Sequence, residues 1–470
     1  MKRWIGPGVL VALALFGLAW AKQSNSSCVQ CHTEVTPGVV HQFHEGKMGS
    51  NAYLPLDCSN CHGSAHNTKD DYDKATFPTP DTCMGCHADK VQEFRAGKHE
   101  LAWYAMKTQS ALHAQPSAIV GEGYRGCSGC HKIGRKGYQG AEAGNTGPLK
   151  WDGGKEASHY RYGNAQCDAC HTRHSFKKAE AQNPRACSNC HMGFDHPQWE
   201  MYMSSKHGVT WAIDGEKGWD QGGRAPTCQT CHMPGGNHNV ETSWGFLALR
   251  LPTKENVEKL AASVDDEQLK ANLLKLAKLL PSGHYIDLDD DVQWTLDRAT
   301  ILQANEILDE NFQPTERFYQ IVLQARAARG PERFNELRRQ MKQVCNQCHS
   351  KEFVDDFFYN SDMVVKLADH EFAKAIRAVQ GLYKEGILKK PKGWKWAPSV
   401  AQYYENMTPI ELDLYLIYME YRQRAFQGAF HASNDYMHWY GWAPLKEHVN
   451  RILAEAKRMR EEFYRKKGGK

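Results

Sequence analysis

The chain has 470 residues, 41% of them hydrophobic, with 58 Lys+Arg against 54 Asp+Glu and a formal charge of +4. That length allows two or three ordinary domains. Nothing in so balanced a charge suggests a nucleic-acid partner, and the modest apolar content leaves a thin core if side chains alone must fill it.

Residues 1–21 read as an export signal. Lys2 and Arg3 supply the positive start, Val9 to Ala19 the apolar run, and Ala19-Trp20-Ala21 a small-residue cleavage site. The run is short for a membrane span, so cleavage after Ala21 and a periplasmic destination are expected, with an uncleaved anchor as the alternative.

From residue 22 the cysteines decide the class. All sixteen fall in C-x-x-C-H units: Cys28 and Cys31 with His32, Cys58 and Cys61 with His62, Cys83 and Cys86 with His87, Cys127 and Cys130 with His131, Cys167 and Cys170 with His171, Cys187 and Cys190 with His191, Cys228 and Cys231 with His232, and Cys345 and Cys348 with His349. Two thiols three positions apart reach the two vinyl groups of one porphyrin, and the next residue comes up beneath the iron as proximal ligand. Structural zinc would want paired knuckles without a fixed trailing histidine, and a disulfide scaffold would be a short chain. The expectation is eight covalently bound haem c groups. Their propionates add sixteen acidic groups, which turns the apparent basic balance towards acidic.

Seven units lie in residues 22–249 at irregular spacing, which excludes a solenoid. Short helices around the units and loops between them are expected, with porphyrins supplying much of the buried apolar surface. Residues 250–470 carry one unit in a helical pattern. Helices are expected over 253–280, 290–311, 314–345 and 362–385, from a capping box at Thr408-Pro409-Ile410-Glu411 to about Phe430, and from Pro444 onwards. No strand pattern appears. The fold class is mostly α: a haem-packed, loop-rich N-terminal part and a helical C-terminal part with the eighth haem.

Of 23 histidines, fifteen are not proximal ligands. Low-spin haems take a second axial ligand, histidine here with methionine as the alternative, and His44, His66, His99, His159, His174, His207, His238 and His431 are the candidates, being near haem sites or in Gly/Ser-flanked turns. His41, His113, His284 and His438 are not singled out, His370 is a poor candidate, and so is His448, on a helix that reads as exposed. The run from Cys187 to Gly208 stands apart. Beyond its own unit it holds Asp195 beside His196, and haem ligation has no need of an adjacent Asp-His pair. Such a pair suits proton transfer near neutral pH. Trp103, Tyr104, Trp151, Trp199 and Tyr202 are candidates for stacking on porphyrin or for core. Asp287, Asp289, Asp290 and Asp291 lack the glycine and closing glutamate of a calcium loop, since Val292 and Arg298 stand there, and read as a solvated turn.

The pattern resembles the octahaem hydroxylamine oxidoreductase (hydroxylamine dehydrogenase) family from about residue 28 to 450. The resemblance rests on the eight units, the long gap before the last, the run C-x-x-C-H-M-G-F-D-H-P-Q-W-E ending in Ser205-Lys206-His207-Gly208, the run Cys167 to His174, and Cys228 to Pro234 with His238. Pentahaem ammonia-forming nitrite reductases look related, but usually carry lysine where this chain has His131. The resemblance implies a catalytic, distally open haem on Cys127, Cys130 and His131, with Asp195 and His196 in its pocket. It implies an active-site tyrosine, for which Tyr285 is a candidate by position. It also implies a C-terminal tyrosine cross-linked to that haem in oxidative members, here Tyr436 or else Tyr440. The implied substrate is a small inorganic nitrogen compound, the favoured reaction hydroxylamine oxidation, the electron partner a cytochrome or quinone-linked carrier, and the assembly a trimer. The rival readings are the same site run reductively, and a pure electron conduit.

Overall fold

The computed structural model describes residues 26–50, 56–76, 78–107, 130–131, 133, 167–245, 247–288, 290–392, 394–395, 397–402 and 408–468. The export-signal stretch, Cys127, His113, His159, Trp151, Asp289 and the side chains of Trp103 and Tyr104 lie outside the described residues. Among the described residues the structure is helical, and its β features are isolated bridges such as Arg250 with Arg329.

In the N-terminal part the C-x-x-C-H units sit on short helical turns that side chains start. Asp57 Oδ1 accepts from Cys58 N at 2.7 Å, and Asn60 Oδ1 accepts from Asp57 N at 2.7 Å. Thr227 and Thr230 do the same for Cys228–His232, at 3.3 and 3.0 Å. A capped turn brings both thiols and the following histidine to one side. Few side chains of this part bury one another: Val29, Val91 and Phe94 are the buried hydrophobics described before residue 108. The units and their loops instead surround a continuous, mostly apolar cavity of about 2740 Å³.

The C-terminal part is built on the helix Lys351–Lys384, 34 residues and so about 51 Å long. Ser350 starts it by accepting from Phe353 N at 3.3 Å. Its buried stripe, Val354, Phe358, Val365, Ala368, Phe372, Ile376, Val379 and Leu382, keeps helical spacing and meets the helices Val292–Ala304, Arg422–Phe430 and Ala443–Gly468. Two aspartates share that stripe, and each is satisfied. Asp362 takes Arg338 at 2.6 and 2.9 Å and Trp244 Nε1 at 2.7 Å. Asp369 takes Arg422 at 2.8 Å and Trp294 Nε1 at 2.9 Å.

Several boundaries differ from expectation. The helix expected over 253–280 is two, Lys254–Ala262 and Glu267–Ala277, because Asp266 accepts from Leu269 N at 2.9 Å and starts a new one. The span 314–345 breaks after a wide turn at Tyr319–Gln324, where Arg326 takes φ 50, and Pro331 opens the helix Pro331–Cys345. Thr408 donates to the Glu411 carboxylate at 2.7 Å and caps no backbone N–H. His448 is buried, 8% exposed, and faces Asp413 at 3.0 Å, so the last helix is not the exposed one its sequence suggests. The aspartate cluster is no solvated turn either. Asp290 pairs with buried Arg250 and Arg298 at 2.9 and 3.0 Å, Asp287 with Lys342 at 2.7 Å, and Asp291 with Lys366 at 2.9 Å.

The two parts interlock. Gln198 donates to Gln427 at 2.8 Å, Ser204 meets Ser433 at 2.7 Å, and Arg326 donates to Ala96 O at 3.0 Å.

Candidate functional site

Histidine rings stand in facing pairs around the cavity. Two imidazoles on opposite sides of one iron, with bonds of about 2 Å, hold their centroids about 6.3 Å apart. Six proximal histidines have a partner at that spacing: His32 with His66 (6.1 Å), His62 with His174 (6.2 Å), His171 with His238 (6.2 Å), His191 with His99 (6.1 Å), His232 with His431 (6.4 Å) and His349 with His207 (6.1 Å). The residues therefore fit axial ligation by pairs, and all six partners are among the distal candidates of the sequence. His191 also has His196 at 6.1 Å. One iron has one distal position. His99, arriving from a separate segment, fits it, whereas His196 is drawn to Asp195.

The second ring nitrogens support the fit. Nδ1 of His62 donates to Thr76 O at 2.9 Å, that of His238 to Gly236 O at 2.9 Å, and that of His431 to Gln427 O at 2.7 Å. His32 faces Thr36 Oγ1 at 2.7 Å, His66 Asp71 at 3.0 Å, and His191 Gln198 Oε1 at 3.3 Å. Occupying Nδ1 leaves Nε2 for the metal and sets the ring's orientation. Burial also keeps ligand rings neutral, the form that binds a metal. It pushes His131, His174 and His232 down to about 4 and His191 to about 3.

His87 and His131 have no ring across from them at this spacing among the described residues, and His44 joins no pair. His44 lies against Phe43, with Nε2 buried and without a protein partner.

The attachment units approach one another in an order that differs from the chain. Cys58 lies near Cys28, and Cys61 near Cys83 and Cys86. The Cys83 thiol touches Cys167, Cys170 lies near Cys187, the Cys187 thiol touches Cys228, and Cys231 lies near Cys345 and Cys348. The Cys130 unit branches from this series, its thiol touching Cys190.

At the two ends of the series the thiols of a unit are placed differently from each other. Cys28 and Cys345 line the cavity, but Cys31 and Cys348, the second cysteines of the same units, are exposed and stand outside its lining. Cys31 keeps its place as a haem attachment point by its spacing from Cys28 and His32.

At the branch sit Asp195 and His196. Asp195 Oδ1 meets His196 Nδ1 in a close ion pair, with both side chains about one-fifth exposed. Both act electrostatically on Cys130 and on His131. Burial pulls the His196 imidazole down, but the Asp195 carboxylate, with smaller help from Cys130 and the Cys190 backbone, outweighs it and holds the ring above its ordinary value. A thioether at Cys130 carries no charge, so in the attached protein Asp195 is the main support. Gln427 Nε2 reaches Asp195 O at 3.4 Å and accepts Gln198 on its oxygen, which ties His191, Asp195 and His431 into one network. Sequence reasoning did not find Gln198 and Gln427, and nothing local marks them.

Tyr285 is not part of this site. Its hydroxyl donates to Leu251 O at 2.7 Å and to Arg329 O at 2.8 Å, beneath the Arg250 guanidinium 3.9 Å above its ring. Burial and those carbonyls make it an anchor of the helical core. Tyr436 and Tyr440 stack at 4.9 Å, Tyr440 being 52% exposed, and among the described residues neither makes a hydrogen bond or ring contact with Cys130 or His131. Trp199 and Tyr202 line the cavity and pack with buried Trp211.

Comparison with known proteins agrees with this geometry. The family described as seven times multi-haem cytochrome CxxCH matches residues 152–260, and that of cytochrome c554 and c-prime matches residues 82–172. The chain is a multihaem c-type cytochrome with covalently bound haems. A probable nitrite reductase-hydroxylamine oxidoreductase fusion protein of Kuenenia stuttgartiensis is 32% identical over 294 residues, half of this chain but 29% of the relative. In fold, a reducing HAO-like protein complex from the same organism aligns over the whole chain and 90% of its own (TM-score 0.59, 20% identity). A hypothetical multiheme protein aligns over 95% and 98% (TM-score 0.60, 18% identity). Within its class, then, the chain resembles that fusion protein over half of its own length and shares a fold with the HAO-like complex.

Proposed function

We propose that this chain is an octahaem oxidoreductase that oxidises hydroxylamine to nitric oxide or nitrite at the haem of Cys127, Cys130 and His131. The observation that carries the reading is the Asp195–His196 pair set beside Cys130 and His131. When bound, the haems supply a substrate-binding iron at His131 and one-electron carriers elsewhere. The chain's own residues do the rest. Oxidation of hydroxylamine to nitric oxide releases one proton with each electron, so the pocket must move protons. His196 in its neutral form accepts them, and Asp195 stabilises the imidazolium that forms. The six facing pairs, as axial ligands, would keep small molecules off six of the other seven irons. His191, in the unit that touches Cys130, lies where electrons leave for the series.

The reductive reading, nitrite or hydroxylamine reduced towards ammonium, draws on one observation. Tyr436 and Tyr440 stack on each other within the chain, and among the described residues no hydrogen bond or ring contact joins either to Cys130 or His131. The likeness to a reducing HAO-like complex is one of fold. The same proposal places the protein in the periplasm, as a homotrimer passing electrons to a cytochrome or quinone-linked carrier.

Spectra and peptide masses test all of this. The enzyme reading expects one high-spin, ligand-binding haem among eight; its absence leaves the conduit. A mass joining Tyr436 or Tyr440 to the Cys127–His131 peptide marks the oxidative form. No such mass, together with nitrite turnover from a viologen donor, marks the reductive one.

A further inference from the structure

Away from the Asp195–His196 pocket, on the cavity wall between His99 and His238, three guanidiniums and the Lys98 amine gather around one buried carboxylate. Glu241 receives Arg329 Nη1 at 2.9 Å and Arg333 Nε at 3.1 Å, with Arg326 Nη1 at 4.0 Å. Lys98 joins them, donating to Ala325 O at 3.1 Å and to Arg326 O. Arg333 also has Glu336 at 2.6 Å. The group therefore keeps more positive charge than its carboxylates cancel. Arg329 is itself buried, and its Nε and Nη2 have no protein acceptor. Buried guanidinium N–H groups require acceptors, and a second carboxylate is the partner their planar fork fits. Lys98, Glu241 and Arg329 all line the cavity. Lys98 immediately precedes His99, and Glu241 follows His238 by three residues.

We infer that Arg329, backed by Lys98 and held in place by Glu241, is the binding site for a porphyrin carboxylate of one of the two haems that His99 and His238 cap. The inference rests on those haems being bound, and it stands whichever reaction the His131 site performs. Arg329 donates Nε and Nη2 to a propionate oxygen pair while Nη1 stays on Glu241. The site also biases electron uptake. A fixed cation at the porphyrin edge favours the reduced haem, so the neighbouring iron is easier to reduce.

The test is potentiometry followed by electron paramagnetic resonance on the fully haem-loaded protein. The two haems are separable, because the His171 and His238 planes lie 15° apart whereas His99 and His191 are crossed at 62°. Near-parallel and crossed imidazoles give different low-spin signals. Arg329→Gln is expected to lower the electron-uptake constant of one of these haems about tenfold, equivalent to about 59 mV for a one-electron couple, and to leave the rest in place. Glu241→Gln, which makes the cluster more positive, is expected to move the same haem the other way. The haem that moves identifies the carboxylate's owner, and a loss of redox-linked carboxylate infrared bands in Arg329→Gln accompanies it. If Arg329→Gln does not fold, Arg329→Lys and Glu241→Gln carry the same comparison. Shifts of the same sign in both variants, or none, overturn the inference. So does a wild-type potential that follows chloride or nitrite concentration, which would mean a free anion fills the site.

Discussion

Replacing His196 by alanine isolates the proton-handling role. The side chain is about one-fifth exposed and close to Asp195, Cys130 and His131. A positioned acid–base group contributes about 10²–10⁴ in rate, or about 3–5 kcal/mol of barrier at 1.36 kcal/mol per tenfold. Partial exposure lets water replace part of that, so the lower end, about a hundredfold, is expected. Asp195→Asn adds a sign. Asp195 is what holds His196 above its ordinary value. Its loss lowers the imidazole's pKa, so neutral His196 appears at lower pH. If oxidation needs the neutral ring, the rising limb of turnover against pH moves to lower pH in Asp195→Asn, while the maximal rate falls. The assay is stopped-flow haem reduction by hydroxylamine, normalised to haem content. Unchanged turnover in fully loaded His196→Ala, or a limb that moves to higher pH in Asp195→Asn, refutes the role.

Further predictions concern the ligand pairs, the core and the corner that carries the site. His99→Ala should leave the iron at His191 without its sixth ligand, and one low-spin signal should become high-spin and cyanide-binding; an unaltered spectrum would assign the position to another residue. Asp362→Ala strands Arg338, 0% exposed, and Trp244 Nε1, and should cost about 3–5 kcal/mol in thermal or denaturant unfolding. A loss below about 1 kcal/mol would mean that Asp287, 3.3 Å from Arg338, suffices. Gly208→Ala should part His207 from His349, since the added Cβ would stand 2.0 Å from Tyr202 O. Its readout is the low-spin signal of the His349 haem, whose persistence would show that the corner yields.

What was readable in the sequence is what chemistry confines to a few adjacent positions. A C-x-x-C-H unit states its cofactor and its proximal ligand because all the bonds are local. How each thiol is placed is not local: Cys31, Cys61 and Cys86 are all exposed, yet Cys61 and Cys86 line the cavity and Cys31 does not. Distal ligation is different again. His99 meets His191, and His174 meets His62, by folding, and no residue near either announces the match. Candidates could be chosen but not paired. His448 read as exposed because its partner, Asp413, lies on another helix. Asp290 read as solvated because Arg250 comes from a separate segment and Arg298 is brought back to it only by the turns of the following helix. The break at Asp266 was legible, since aspartate just before a leucine-rich helix is a capping signal, but the apolar period running through it hid it. Tyr285, chosen by position alone, turned out to be bound to two backbone carbonyls in the core.

The segment from Cys187 to Gly208 shows why the proton site and the electron sites need not be separately built. Its C-x-x-C-H unit positions His191, facing His99, and a few residues on Asp195 and His196 reach the neighbouring Cys130 and His131. The helix Gln198–Ser204 then ends against Ser205, whose hydroxyl donates to Tyr202 O at 2.7 Å and accepts from Gly208 N at 3.2 Å. That corner turns His207 towards His349. Side chains directed at three attachment units are thus fixed by one stretch of backbone. Gly208 lies so near Tyr202 O that only a residue without Cβ fits there. Gln198 and Gln427 clamp the same stretch to the Arg422–Phe430 helix, just before His431. A strain at any of these points must be felt at the others, because close-packed backbone transmits small displacements and does not absorb them. Proton transfer at His196 and electron transfer through His191 and His349 are therefore held in register by geometry, and a change in one should appear in the spectra of the rest.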